Sequence, residues 1–268
     1  LLRWGLDRDR LETNAYDPRM TPYIWGFAKK AGYHTVVIEG QTGKTPRCHF
    51  NPIELGYVDE WLAMPRNLET DMLIADELEK RLKNRRREFI YVTKIGAHFP
   101  YEKRYPRGYI AEDATKLEKY KAAVRYNTGR FFEKLKCADL TRAFIVYTSD
   151  HGQQLNATKL THCSRYPTWE EFSVPMVVVT NVDSLYRRFS ENAKTFFNRT
   201  SHEQIFSTLL YVMGYSKVNE ARYAPPLFQE NDQYHVLLHP HSALNGPHSN
   251  HVEFGLNRHF PYRPADKE

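Results

Sequence analysis

Apolar and polar positions along the chain follow two periods. Tyr33 to Glu39 (YHTVVIE), Glu88 to Ile95 (EFIYVTKI), Ala143 to Thr148 (AFIVYT) and Val174 to Thr180 are short runs rich in β-branched and aromatic residues. Such runs predict strands. Asn67 to Arg85 sets Leu68, Met72, Ala75, Leu78 and Leu82 on one stripe, the spacing of a long amphipathic helix. Asp113 to Lys136 predicts a second long helix and Pro22 to Lys30 a short one. Ser201 to Met213 predicts another, with Ser201 as its N-cap and Glu203 in its first turn. Strands alternating with helices imply an α/β fold: a mostly parallel sheet with helices on both faces. Ligands of such sheets gather at the carboxyl ends of the strands. No internal repeat is visible.

Composition narrows the class. The chain has 268 residues, 41% hydrophobic and 26% charged, as in a globular protein with a sizeable core. No stretch reaches the roughly 18 apolar residues of a membrane helix. Leu1-Leu2-Arg3-Trp4 has no initiator Met and no signal-peptide pattern, which is expected of the remainder of a longer chain. The net charge of +6 suits anionic partners. Its densest run, Lys80 to Arg87, closes a predicted helix, where positive charge complements the helix C-terminus. With no nucleic-acid motif beside it, no nucleic-acid partner is expected. Cys48, Cys137 and Cys163 fit neither a disulfide framework nor a CxxC zinc site. After Pro225 the apolar runs thin out and six of the twelve histidines appear. Two regions are therefore expected: residues 1–225 as the α/β domain and 226–268 as a His-rich, loop-rich extension.

The candidate chemistry follows strand ends. Thr148-Ser149-Asp150-His151-Gly152 sets a carboxylate and an imidazole side by side on a tight turn, with Gly152 permitting the bend. Oxygen and nitrogen donors together suit zinc or a similar divalent ion, although Asp-His-Gly alone is a common loop tripeptide. His98, in Gly96-Ala97-His98-Phe99-Pro100-Tyr101, follows another strand, and His162 lies in the loop after Asp150 and His151. Singly, each histidine reads as a turn or core residue. Together with Asp150 they favour a metal-centred site.

These segments resemble a family. The strand-TSDHG segment, preceded by IYVTKIGAHFPYEKRYP and followed by a loop His, is similar to the alkaline phosphatase superfamily, sulfatase-like branch. Its membrane-anchored phosphoethanolamine and phosphoglycerol transferases are the nearest likeness. AGYHTVVIEGQTGK and RTSHEQIFSTLLYVMGY also resemble that branch, so the likeness runs from about Tyr16 to about Tyr215. The resemblance implies zinc-dependent transfer of a phosphoethanolamine-type headgroup, through a covalent enzyme intermediate, from a phospholipid donor to a lipid or glycan acceptor. It implies the periplasmic face of the bacterial inner membrane, with attachment through a segment outside this chain. It assigns Asp150 and His151 to the principal zinc. It assigns His98 and His162 to the transferred phosphate or a second zinc, as catalytic groups, and Lys44 or Gln41 to the headgroup.

The match has gaps. No residue convincingly replaces the family's nucleophilic Thr; Thr42 aligns with the substrate-pocket loop instead. Gln153 stands where the family places a Glu after Asp-His-Gly. The chain alone is therefore expected to be inactive. Two further readings stay open: a sulfatase or phosphodiesterase that releases its product to water, and a non-catalytic module that grips anionic headgroups.

Overall fold

The computed structural model describes residues 3, 5, 22–42, 50, 52–136, 138–156, 162, 168–215, 222–231, 233–237 and 251–255. Lys44, the three cysteines, and the tail histidines other than His235 and His251 lie outside them. Two compact units emerge: Pro22–Ile145 with Val178–Tyr186, and the described parts of Leu1–Thr21, Val146–Val177 and Arg187–Glu268.

The first unit opens with α1 (Ile24–Lys30) and β1 (His34–Glu39), then α2 (Pro52–Leu55), β2 (Glu60–Ala63), α3 (Thr70–Lys83) and β3 (Glu88–Thr93). The strands form a parallel sheet in the order β2-β1-β3, with Val36 beside Glu60 and His34 beside Glu88. Strand periodicity sorts the side chains. Val36 and Ile38 on one face pack with Ile74 and Ala75 of α3, Phe131 and Leu135, joined by Leu62, Ile90 and Val92. On the other face Trp25 of α1 meets Phe89 and Tyr91 edge-on, at 5.3 and 5.9 Å between ring centres. Both faces of β1 are thus covered, which is why Val36, Val37 and Ile38 follow one another with no polar residue between them. Burying each such large apolar side chain contributes roughly 1.5–3 kcal/mol.

The helix expected over Asp113–Lys136 begins later and is not uniform. α4 (Lys116–Val124) starts at a capping box of Thr115 and Glu118, passes through a π turn (Arg125–Gly129), and continues as α5 (Arg130–Leu135). The π turn turns Asn127 inward, where Nδ2 donates to the carbonyls of Arg104 (2.7 Å) and Ala123 (3.0 Å). Arg130 holds Glu69, at the N-cap of α3, through two bonds of 2.8 and 3.1 Å.

Beyond β4 (Phe144–Thr148) come α6 (Trp169–Phe172), β5 (Met176–Thr180), α7 (Asp183–Ala193), α8 (Glu203–Val212), β6 (Gln233–Leu237) and β7 (His251–Gly255). β4 pairs with β5, and β6 pairs antiparallel with β7. The tail region thus contains paired strands, which its polar composition did not announce. In the second unit, Ile205, Phe206 and Leu210 of α8 are buried with Leu227 and Phe228. Gln204 Nε2 and Thr208 Oγ1 bond the backbone of residues 226–229, fastening that segment along the helix. Ser201 is not the N-cap of α8. The cap position falls to His202, whose side chain makes no capping bond, and Ser201 Oγ donates to Glu203 instead.

Candidate metal centre

In the second unit, β4 ends at Thr148 and the next four residues form a turn. Ser149 Oγ donates to the His151 carbonyl at 2.9 Å, and the His151 amide donates to Asp150 Oδ1 at 3.1 Å. His151 Nδ1 lies 2.8 Å from the Gly152 carbonyl. A carbonyl only accepts, so Nδ1 carries a proton, and in the neutral imidazole the lone pair is on Nε2. That tautomer leaves a metal-ligating nitrogen 3.8 Å from Asp150 Oδ2. Tetrahedral ligands bound at zinc distances stand about 3.3 Å apart, so a small side-chain rotation brings the two onto one ion. Asp150 is exposed and His151 partly buried, as suits a site open to a ligand.

His162 stacks on His151, with ring centres 4.0 Å apart and planes 19° from parallel. Its Nδ1 lies 3.3 Å from Gln153 Oε1, which again makes Nδ1 the donor and Nε2 the lone-pair nitrogen. Gln153 therefore orients the second imidazole as a carboxylate there would, without adding negative charge.

Gly152 meets a requirement other than the expected one. Its φ is not among the positive values of the fold. Instead its amide donates to the Glu171 carbonyl at 2.7 Å, and a Cβ would lie 2.0 Å from the Glu170 carbonyl oxygen and 2.6 Å from that of Ser173. Close backbone approach, not a special bend, demands glycine here.

His202 was not singled out from the sequence, because it opens a helix rather than following a strand. Its Nε2 lies 2.8 Å from Thr148 Oγ1, directly behind the turn. Burial pushes its pKa down from 6.5 to about 4, so it stands neutral at pH 7.

In the first unit His98 is exposed, with Nδ1 2.5 Å from the Phe99 carbonyl, just before a cis Phe99–Pro100 bond. The segment leading to it is anchored from three sides. Thr93 Oγ1 donates to the buried Glu39. Gln41 Nε2 donates to the Lys94 carbonyl at 2.7 Å. Asp71, buried in α3, accepts from Lys94 Nζ (2.9 Å), the Ile95 amide (2.9 Å) and the Gly96 amide (3.0 Å). Burial pulls the Lys94 pKa down and Asp71 opposes it. Glu39 also accepts from the Gln41 and Thr42 amides at 2.5 and 3.1 Å, shaping the loop after β1. Gln41, expected at the headgroup, thus has its amide nitrogen engaged in holding the loop that carries His98.

Asp150, His151 and His162 do not bring three ligand atoms within 4.8 Å of one another; among the described residues the trio that does is His34, Glu60 and Glu88. These open β1, β2 and β3, at the amino edge of the sheet. A cation already sits among them: Arg81, 8% exposed, bonds Glu60 at 2.5 Å, Glu77 at 2.8 Å and Glu88 at 3.0 Å. The Arg81 hydrogen bond holds the Glu60 carboxyl below its usual range. A metal there would have to displace a guanidinium, so the trio is an internally neutralised ion network.

Comparison with known proteins agrees with the family resemblance. A profile described as Sulfatase matches residues 5–215. The Kdo(2)-lipid A phosphoethanolamine 7''-transferase of Salmonella typhimurium is 25% identical over 197 residues, covering 62% of this chain and 34% of that protein. The Escherichia coli protein of the same name is 24% identical over 190 residues, covering 60% and 33%. The chain therefore spans about a third of the length of these curated relatives. Among solved structures, the C-terminal periplasmic domain of EcEptC from Escherichia coli superposes with a TM-score of 0.66 at 20% identity, over 90% of this chain and 73% of that one. The same domain in complex with zinc gives 0.62 at 22%, over 79% and 68%. The lipoteichoic acid synthase LtaP from Listeria monocytogenes gives 0.52 at 14%, over 81% and 58%. These structures establish the fold as sulfatase-like α/β.

Proposed function

The chain belongs to the sulfatase family, and on that premise we propose that it is part of a zinc enzyme transferring a phosphoethanolamine-type headgroup from a phospholipid to an envelope lipid or glycan, on the periplasmic side of a membrane. The activity of the two Kdo(2)-lipid A phosphoethanolamine transferases and the periplasmic origin of the EcEptC domain support this reading. The observation that carries it is the turn after β4, where Asp150 Oδ2 and Nε2 of His151 stand 3.8 Å apart while His151 Nδ1 is held by the Gly152 carbonyl.

Asp150 and His151 would hold the zinc, which supplies charge neutralisation at the phosphate and a lowered pKa for a ligated hydroxyl. The remaining tasks fall to side chains. Gly152 and Ser149 keep the turn tight, so the two ligands need little reorganisation. His162, oriented by Gln153, and His98 are assigned to the phosphate oxygens, where an imidazole stabilises developing charge and passes a proton to the leaving oxygen. Lys44 is assigned to the headgroup. Gln41 acts one step back, through the Lys94 carbonyl. None of residues 1–268 is assigned as nucleophile.

The test is zinc titration calorimetry on the full chain, followed by incubation with vesicles containing fluorescent phosphatidylethanolamine. The expected result is zinc binding that weakens roughly tenfold to hundredfold in Asp150→Asn and His151→Gln but is unchanged in His34→Gln and Glu88→Gln, with no headgroup release. Zinc affinity that ignores Asp150→Asn and His151→Gln, or follows His34→Gln, would overturn the site. Headgroup release by this chain alone would overturn the absence of a nucleophile and favour the hydrolase reading.

A further inference from the structure

The turn that carries Asp150 and His151 is clamped at both ends, and both clamps lie within the second unit. At its far end the Gly152 amide donates to the Glu171 carbonyl at 2.7 Å. At its near end Thr148 Oγ1, on the last residue of β4, lies 2.8 Å from Nε2 of His202. Between the clamps, Asp150 is bonded only within its own turn. Its Oδ1 accepts from the His151 amide at 3.1 Å and stands 3.4 Å from Ser149 Oγ, and its Oδ2 faces His151 Nε2 at 3.8 Å. Among the described residues no side chain of another element bonds this carboxylate. Its direction is therefore set by the backbone that Thr148 and Gly152 anchor.

His202 occupies an odd position for its type. It stands at the N-cap of α8 and makes no side-chain capping bond, where Ser, Thr, Asp or Asn would contribute about 1 kcal/mol. Its neighbours fix the helix start instead. The Ser201 amide donates to Gln204 Oε1 at 3.0 Å, and Ser201 Oγ donates to Glu203 Oε1 at 3.2 Å. Asn231 Nδ2 lies 3.3 Å from Ser201 Oγ and 3.4 Å from Glu203 Oε1. Glu203, Gln204 and Ile205 are all buried. The imidazole thus stands on a fixed helix end and spends its Nε2 on the strand, not on the helix.

We propose that His202 is a positioning residue for this turn: through Thr148 it fixes how β4 delivers Asp150, and so sets the affinity of the Asp150–His151 pair for zinc. A metal binds tightly where its ligands are held before it arrives, and groups behind the ligands change affinity about tenfold to hundredfold. His202 reaches Asp150 through the backbone of Thr148 and Ser149, so the lower end of that range applies. The inference rests on the proposed zinc site and touches neither of its ligands.

Calorimetric zinc titration of the full chain, with thermal melts in EDTA beside it, tests this. Val keeps the shape of Thr and suits a strand, so Thr148→Val removes the hydroxyl and leaves β4 intact. Zinc affinity should fall about tenfold in Thr148→Val and in His202→Ala, and stay at the parent value in Thr148→Ser, which keeps the hydroxyl. The double variant Thr148→Val/His202→Ala should lose no more than the weaker single variant, because the two groups act as one. Thr148→Val stays informative if His202→Ala loses structure. A bond that only supports the fold would lower the melting temperature in EDTA and leave zinc affinity below the transition unchanged, which would overturn the inference. Losses that add in the double variant, or a Thr148→Ser as weak as Thr148→Val, would overturn it too. Zinc binding that follows Asp150→Asn but ignores Thr148→Val would overturn the positioning role alone. Zinc binding that ignores Asp150→Asn, or no zinc binding by the parent, would overturn the zinc site and this inference with it.

Discussion

Asp71→Asn is the sharpest test of how the fold holds the loop carrying His98. The carboxylate is 1% exposed and its partner Lys94 10% exposed, with 2.9 Å between the charged atoms. Asparagine is nearly the same size, so the change removes charge rather than volume, and it also replaces one of the two accepting oxygens with an NH2 that cannot accept. Lys94 is then left buried without a counter-ion, and breaking a buried pair in this way costs about 3–5 kcal/mol. The pH dependence has a definite sign. Burial sets the folded Lys94 pKa below the ordinary 10.5, so between the two values the unfolded chain binds more protons and stability rises with pH. Without Asp71 the folded value drops further and the window widens. Urea denaturation should therefore show a loss of about 3–5 kcal/mol near pH 7 that narrows toward pH 10. The double variant Asp71→Asn/Lys94→Met should lose less than Asp71→Asn alone, because no charge is stranded. A loss below about 1 kcal/mol at pH 7, the range of an exposed pair, or a deficit that does not change with pH, would refute the buried-pair account.

Two further changes probe the turn after β4. Gly152→Ala drives a methyl to 2.0 Å from the Glu170 carbonyl oxygen and should destabilise by about 3 kcal/mol, at the upper end for overpacking. It should also weaken zinc binding; an unchanged melting temperature would show that the turn is not held by that approach. His202 takes its proton near pH 4 when folded and near 6.5 when unfolded, so the unfolded chain holds more protons between those values. Its contribution is intact above pH 6.5 and is lost as pH falls toward 4, by at most about 3 kcal/mol. His202→Gln should flatten that acid limb in thermal melts taken from pH 7 to pH 4, and an unchanged limb would assign the acid sensitivity elsewhere.

What could be read from the sequence divides by the range of the interactions involved. β1 and β3 were legible because cover on both faces wrote itself into short β-branched and aromatic runs, Val36 to Ile38 and Phe89 to Val92. β2 was missed: Glu60-Trp61-Leu62-Ala63 is four residues long and opens with an acid that belongs to the Arg81 network. α7 was missed although its few apolar residues share one face, because the segment is polar overall and none of its residues is buried. The strand-TSDHG turn was legible because both candidate ligands and the glycine lie within three consecutive positions, and the chemistry of a metal pair is local. Asp71 shows the opposite case. On its helix it reads as an ordinary polar position, yet it accepts from amides 24 and 25 positions further along. Glu39 likewise looked like the last residue of a strand, and its bond to Thr93 spans 54 positions. Residues that shape a site from behind carry no mark in their own neighbourhood, because their function is defined by the segment they meet. Gly152 adds a subtler lesson. The residue was identified correctly, but a bend and a close approach both select glycine, and only the Glu170 and Ser173 carbonyls decide between them. The distinction has a physical consequence. A bend could be supplied by Asn, which tolerates positive φ, whereas a backbone pressed against the Cβ position excludes every residue but glycine.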